Sequence, residues 1–130
     1  PVTLHCIRAS GTLLKILERE TIPECGFHLH AYSGSAAQVM KFVELGAYFS
    51  FHAGQLNQCS KRLITAIQSV PLERILLETD APDTLGKSSN TNSFLMSGYK
   101  LLAAIKNMSF EAIHEQVYSN FRRLFINDRT

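Results

Sequence analysis

The chain has 130 residues, 45% of them hydrophobic and 18% charged, with a formal net charge of +2. This composition fits one ordinary soluble domain, long enough to bury roughly two-thirds of the surface its unfolded chain would expose. No apolar run approaches the ~20 residues of a membrane span, no signal-peptide layout opens the chain, and the mild charge neither demands nor excludes a nucleic-acid partner.

In chain order, short apolar runs alternate with longer stretches of helical period. "PVTLHC" is strand-like, and Leu13, Leu14, Ile16 and Leu17 then predict a helix ending before Pro23. "FHLHAY" is the second strand. "SGSAAQVMKFVELG" follows as a helix, with Ser35 and Gln38 at capping-box spacing, an apolar stripe of Val39, Met40, Phe42 and Val43, and Gly46 as its stop. "AYFSFHAG" is the third strand, and Leu63, Ile64 and Ile67 mark a helix stopped near Pro71. "RILLETD" is the fourth strand. "APDTLGKSSNTNS" reads as a loop of about a dozen residues, a length that tends to be functional. Two helices close the chain, over about Phe94 to Lys106 and from an N-cap at Ser109 onward. The order βαβαβαβαα implies a parallel sheet with right-handed crossovers.

Each apolar run ends in a chemically useful side chain, successively His5, His30, His52 and Asp80. In parallel α/β folds the C-terminal ends of the strands form the active-site face. Three imidazoles and a carboxylate at equivalent ends therefore predict a convergent site for a divalent cation, zinc by its nitrogen ligands or manganese or magnesium by its carboxylates. His5, His30 and Asp80 are the expected ligands. His28 and His30 form an HxH pair whose side chains share one face, and that pair is the rival metal-binding element. Glu78 lies on the face of Asp80, two residues deeper, where a hydrogen bond to a ligand is expected rather than ligation. His52 is expected to line a pocket or to be a satisfied structural histidine. Cys6, Cys25 and Cys59 are odd in number, widely spaced and without a CxxC pair, so reduced thiols and a cytoplasmic or otherwise intracellular location are expected. The chain begins at Pro1, inside a strand-like segment, which suggests a piece of a longer protein.

Together "PVTLHC", "LHAYSGS", "LGAYFSFHAG", "PLERILLETDAP" and "NFRRLF" resemble the successive signatures of the TatD-type metal-dependent deoxyribonucleases, over nearly the whole chain and in the same order. The resemblance implies a (β/α)8 barrel with one or two divalent metals at its C-terminal face. It implies that residues 1–130 form the C-terminal half, strands five to eight, and that an HxH pair and a Glu belong to strands this chain lacks. Carried over, the metal ligands of strands five, six and eight match His5, His30 and Asp80, with Asp80 also orienting or deprotonating the attacking water. The match demotes His28, whose place is usually apolar in the family. Ser33 falls in the His-aromatic-Ser-Gly-Ser signature, beside the site. Three positions depart from the pattern: Ile7, followed by Arg8, stands where Arg is common, His52 stands where a small residue is common, and "SSNTNSFL" lacks the Asn-Glu-Pro segment.

The implied function is metal-dependent hydrolysis of phosphodiester bonds in DNA, incomplete in this chain alone. The alternative is a catalytically inactive half barrel that binds metal or a partner, either the missing N-terminal half or a second copy. A third reading, from another class, is a flavodoxin-like binding module, for which "SGS" at residues 33–35 before a helix is the nearest anion-site signal.

Overall fold

The structure is a computed structural model that describes residues 1–83 and 90–126. Four strands, β1 (Val2–His5), β2 (Phe27–His30), β3 (Ala47–His52) and β4 (Ile75–Glu78), form one sheet in the order β1-β2-β3-β4. All three pairings are parallel, with His5 opposite His30 and His52 opposite Glu78. Helices α1 (Ser10–Leu17), α2 (Ala36–Glu44), α3 (Ala53–Asn57) and α4 (Lys61–Ser69) make the crossovers, and α5 (Thr91–Lys106) and α6 (Phe110–Phe121) follow the last strand. Sequential neighbours that are all parallel make four successive units of a (β/α)8 barrel, as expected.

Alternation along the strands divides the side chains between two layers. Phe27, Leu29, Ala47, Phe49, Phe51 and Ile75 point into the helix layer, where Leu14, Val39, Phe42, Ile67, Leu102 and Ile113 complete one continuous buried core. The opposite face carries Thr3, His5, His28, His30, Ser50, His52 and Glu78. Deeper on that face Tyr48 and Leu76 are covered by Leu124, with Phe125 packed against them, from a π-helical turn at Arg122–Ile126. The polar face is therefore closed at its N-terminal end by hydrocarbon and open at the strand tips.

Gly26 and Gly46 set the start of β2 and β3. Both have positive φ, 85° and 92°, and a Cβ on Gly26 would lie 2.2 Å from the Gly46 carbonyl oxygen. At the other side of the molecule Asn120, fully buried, donates from Nδ2 to the carbonyls of Leu72 and Ile75, both at 2.8 Å, and its Oδ1 accepts from Gln116. This side chain ties α6 to the entry of β4.

Several local expectations need correction. Ser35 is the N-cap of α2, but its hydroxyl donates to Gln38 Oε1 at 3.3 Å and caps no backbone amide. The capping box lies instead at α3, a short helix that the sequence pattern does not signal. There His52 Nδ1 accepts from Gly54 N, and Gln55 Oε1 accepts from His52 N. Met40 is 50% exposed and leaves the apolar stripe of α2 to Val39 and Phe42. The closing loop is shorter than expected, because Asn90 caps α5 through bonds to the amides of Asn92 and Ser93, so that residues 91–93 are already helical. Residues 84–89 of that loop lie outside the described residues.

Candidate metal centre

The strand tips are backbone-strained as a group. Arg8 (φ 53°), Ala31 (φ 46°) and Asp80 (φ 49°) each sit in the left-handed region within three residues of a strand end. Non-glycine residues there cost of the order of 1 kcal/mol each and cluster at functional sites. These three follow β1, β2 and β4, the strands that carry His5, His30 and Glu78.

His30 is the hub. Its Nδ1 lies 2.8 Å from Glu78 Oε2, and its Nε2 lies 3.3 Å from Asp80 Oδ1. A carboxylate only accepts, so Nδ1 donates to Glu78. In the neutral ring the Nε2 lone pair then faces the Asp80 oxygen. Two electron-rich atoms at that distance need a proton or a cation between them. His5 completes the group, its ring centroid 5.2 Å from that of His30. Asp80 is 40% exposed at the side chain and His5 is exposed, so the group opens to solvent at the tips.

A buried chain of hydrogen bonds lies beneath. Glu78 Oε2 also accepts a hydrogen bond from Ser50 Oγ. That hydroxyl has one proton, so its two lone pairs accept from His28 Nε2 at 2.7 Å and from the Ala31 amide at 3.1 Å. His28 Nδ1 is then the acceptor for Thr3 Oγ1, at 3.3 Å. Burial, followed by the charge of His30, lowers His28 from the ordinary imidazole value to about 4. His28 is thus a neutral ring with both nitrogens engaged by hydroxyls.

His28, His30 and Glu78 bring one ligand atom each within 4.8 Å of one another, and among the described residues theirs is the one His, Cys, Asp or Glu cluster this compact. His5 and Asp80 flank the same His30 nearer to solvent and make with it the looser, second donor set that the sequence points to. The two sets differ in what their atoms are already doing. His28 would have to give up Ser50 or Thr3 to bind a cation, whereas among the described residues no hydroxyl meets the Nε2–Oδ1 edge of His30 and Asp80. Glu78 Oε1 is a buried oxygen with no hydrogen-bond partner among the described residues. An orphaned carboxylate oxygen beside imidazole nitrogens is costly unless a cation or proton approaches it, and nitrogen with carboxylate oxygen suits zinc, manganese or magnesium. The donor chemistry therefore fits a divalent ion centred on His30.

Of the other sequence-level sites, Ser33 lines a cleft that shares a wall with His30. His52 is a satisfied structural residue, with Nδ1 accepting from Gly54 N at 3.0 Å and Nε2 donating to the Thr79 carbonyl at 2.8 Å, and it also lines a shallow cleft near Gln55. Cys6, Cys25 and Cys59 are free thiols. Ser50 and Thr3 were missed by sequence reasoning. The available signal was strand parity, since each lies two residues before a tip histidine and shares its face.

A family model described as TatD related DNase matches residues 1–126. The chain is 32% identical to an uncharacterized metal-dependent hydrolase of Buchnera aphidicola and 31% identical to the uncharacterized metal-dependent hydrolase YcfH of Escherichia coli, in each case over 96% of this chain and 49% of the relative. The crystal structure of YjjV, a TatD homolog from Escherichia coli, superposes with a TM-score of 0.82 at 28% identity, over 97% of this chain and 50% of that one. A TatD family hydrolase structure from Entamoeba histolytica shares the fold with a TM-score of 0.77 at 19% identity. The chain thus spans about half the length of the relatives it matches. Strand order and sequence agree on one assignment: this chain belongs to the TatD-related DNase family.

Proposed function

We propose that this chain supplies one half of the active site of a divalent-metal-dependent hydrolase that cleaves phosphodiester bonds in DNA. The observation that carries the proposal is the divided use of His30, with Nδ1 held by Glu78 and Nε2 turned to Asp80. His5, His30 and Asp80 are the residues that would hold the ion. When bound, a divalent ion supplies a water of lowered pKa and charge neutralisation at the scissile phosphate. Glu78 keeps the His30 proton on Nδ1 and so keeps Nε2 available, the arrangement in which an outer carboxylate orients a metal-binding imidazole. Ser50 holds Glu78 in place. Asp80, part-exposed at the strand tip, orients the attacking water and accepts its proton.

The reading also calls for a partner. Val2 on the edge strand β1 is 45% exposed, and Phe121, beside the β4 edge, is 43% exposed. Unpaired sheet edges and uncovered apolar side chains favour association, which the other half of a barrel or a second copy of this chain would satisfy.

DNA cleavage in the presence of manganese, magnesium or zinc tests the proposal, with Asp80→Ala alongside. Activity present in the wild type and lost in the variant supports it. Absence of activity in a protein that includes the remaining strands, with every metal, would remove the nuclease reading and favour a metal-binding half barrel.

A further inference from the structure

A cleft of about 240 Å³ shares a wall with His30. Its other walls bring together Arg8 from the β1–α1 link, Ser10 at the start of α1, Ser33 and Gly34 from the β2–α2 link, and Arg62 from the first turn of α4. Among the described residues no carboxylate lines it. Neither arginine pairs with a carboxylate among the described residues, where the close ion pairs at the strand tips belong to the histidines. Two guanidinium groups in one concavity without counter-charge repel each other, and the cleft gains most from an anion.

The backbone adds to this field. Helices α1, α2 and α4 begin at the rim of the cleft, and none has an acidic residue in its first turn. The N-caps of α1 and α2 make no side-chain capping bond. The positive ends of α1 and α2 are thus left without a side-chain cap or an acidic neighbour on the side where both arginines stand, while Ser60 caps α4 through the Leu63 amide. The β2–α2 link is also shaped closely. Tyr32 Oη donates to the Ser35 carbonyl at 2.9 Å, and a Cβ on Gly34 would lie 2.4 Å from that hydroxyl oxygen. Only glycine fits there, and the backbone forms the cleft wall. Arg8 is one of the left-handed residues, so its strained backbone stands where its cationic side chain reaches the wall.

The cleft does not end at one anion. A second concavity of about 160 Å³ shares Ser33, Gly34 and Arg62 with the first and continues to Gln55 and Ser60. Arg62 stands between the two, and a chain substrate suits that layout better than a small free ester.

We propose that Arg8 and Arg62, with the β2–α2 link, bind a second phosphate of a nucleic-acid strand, next to the one at the His30 centre. This rests on the phosphodiesterase reading given above, and it names the substrate contact that reading lacks. The guanidinium fork matches two phosphate oxygens at once, and the metal side of His30 remains free for the scissile group.

Inorganic phosphate is the probe, titrated calorimetrically into the protein with EDTA present, followed by a thymidine trinucleotide as competitor. Wild type binds phosphate, Arg8→Ala and Arg62→Ala each weaken it roughly tenfold, and the trinucleotide displaces it. Circular dichroism and thermal melting establish that both variants fold. With metal and DNA, the same variants raise KM roughly tenfold and change kcat less. Unchanged phosphate binding in both folded variants overturns the site. A trinucleotide that fails to displace phosphate overturns the strand assignment. Phosphate binding that is lost in the variants while the wild type cleaves no DNA refutes the nuclease reading and leaves the cleft standing. DNA cleavage with phosphate binding and KM unaltered in both variants does the reverse.

Discussion

Ser50→Ala deletes the atom on which the buried hydrogen bonds of the site converge. Ser50 is 1% exposed and His28 7%. The substitution removes the acceptor for His28 Nε2 and for the Ala31 amide, and it removes one of two donors to Glu78 Oε2. Glu78 keeps His30, but the His28 ring loses its partner. A cleft of about 280 Å³ borders His28, Ser50 and Glu78, so a water can take up part of the lost bonding. A buried donor left unpaired costs about 1–3 kcal/mol, and that is the expected loss in urea denaturation with EDTA present. In a His28→Leu background the first of those orphans no longer exists. The same serine substitution should then cost about 1–2 kcal/mol less, a coupling energy that a double-mutant cycle reads directly. Because Glu78 loses a donor that fixes it, zinc or manganese affinity should also fall roughly tenfold by calorimetry. Strict additivity of the two substitutions, or a Ser50→Ala cost below about 0.5 kcal/mol, would refute the hydrogen-bond chain.

The two donor sets separate in metal titrations: Asp80→Ala should weaken zinc or manganese binding at least roughly tenfold, while His28→Leu should weaken it far less, and the reverse order would assign the ion to the deeper set. His28 takes up its proton near pH 6.5 when unfolded but only at about 4 when folded. The unfolded chain therefore binds more protons throughout that window, and in EDTA stability should fall as pH drops from 6.5 to 4, by up to about 3 kcal/mol; His28→Leu should flatten that acid limb in pH-dependent urea melts. Asn120→Ala strands the carbonyls of Leu72 and Ile75 in the core and should cost about 2–4 kcal/mol by thermal or urea unfolding. Gly98→Ala should destabilise by about 1–3 kcal/mol despite better helix propensity, because the new Cβ would lie 2.8 Å from Ala53 Cβ and 3.2 Å from Leu77 Cδ2; a more stable variant would show that α3 and α5 can part freely.

The fold was legible because the apolar runs are short, separated by helical stretches, and tipped with similar side chains. Strand edges came within a residue or two, since Gly26 and Gly46 mark real starts and Pro23 and Pro71 real interruptions. What the pattern concealed was local competition for hydrogen bonds. Ser35 and Gln38 have capping-box spacing, yet Gln38 Oε1 also accepts from Ser10 on a helix 28 residues away in sequence. Helix α3 has only five residues, too few to show a period, and its cap is a histidine, a residue rarely sought at that position.

The HxH pair on β2 shows why a site can be half legible. Spacing places His28 and His30 on one face, and spacing alone makes them equivalent. What separates them is depth and the neighbours that depth selects. At the level of His28 the adjacent strands offer Thr3 and Ser50, two hydroxyls that can each give or take a proton, so the ring is satisfied without charge and burial can lower its pKa. Two residues further on, His30 meets Glu78 and Asp80, which only accept when ionised. An imidazole between two carboxylates must be either protonated or cation-bound at its second nitrogen. The same residue type on the same strand is thus a hydrogen-bonded prop in one layer and, in the metal centre proposed above, a ligand in the next, and Ser50 joins the layers by bonding to His28 and Glu78 together. The hydroxyls that settle the His28 ring lie on β1 and β3, 25 and 22 positions away in the chain, which is why a scan for ligand motifs finds Glu78 and passes over Thr3 and Ser50.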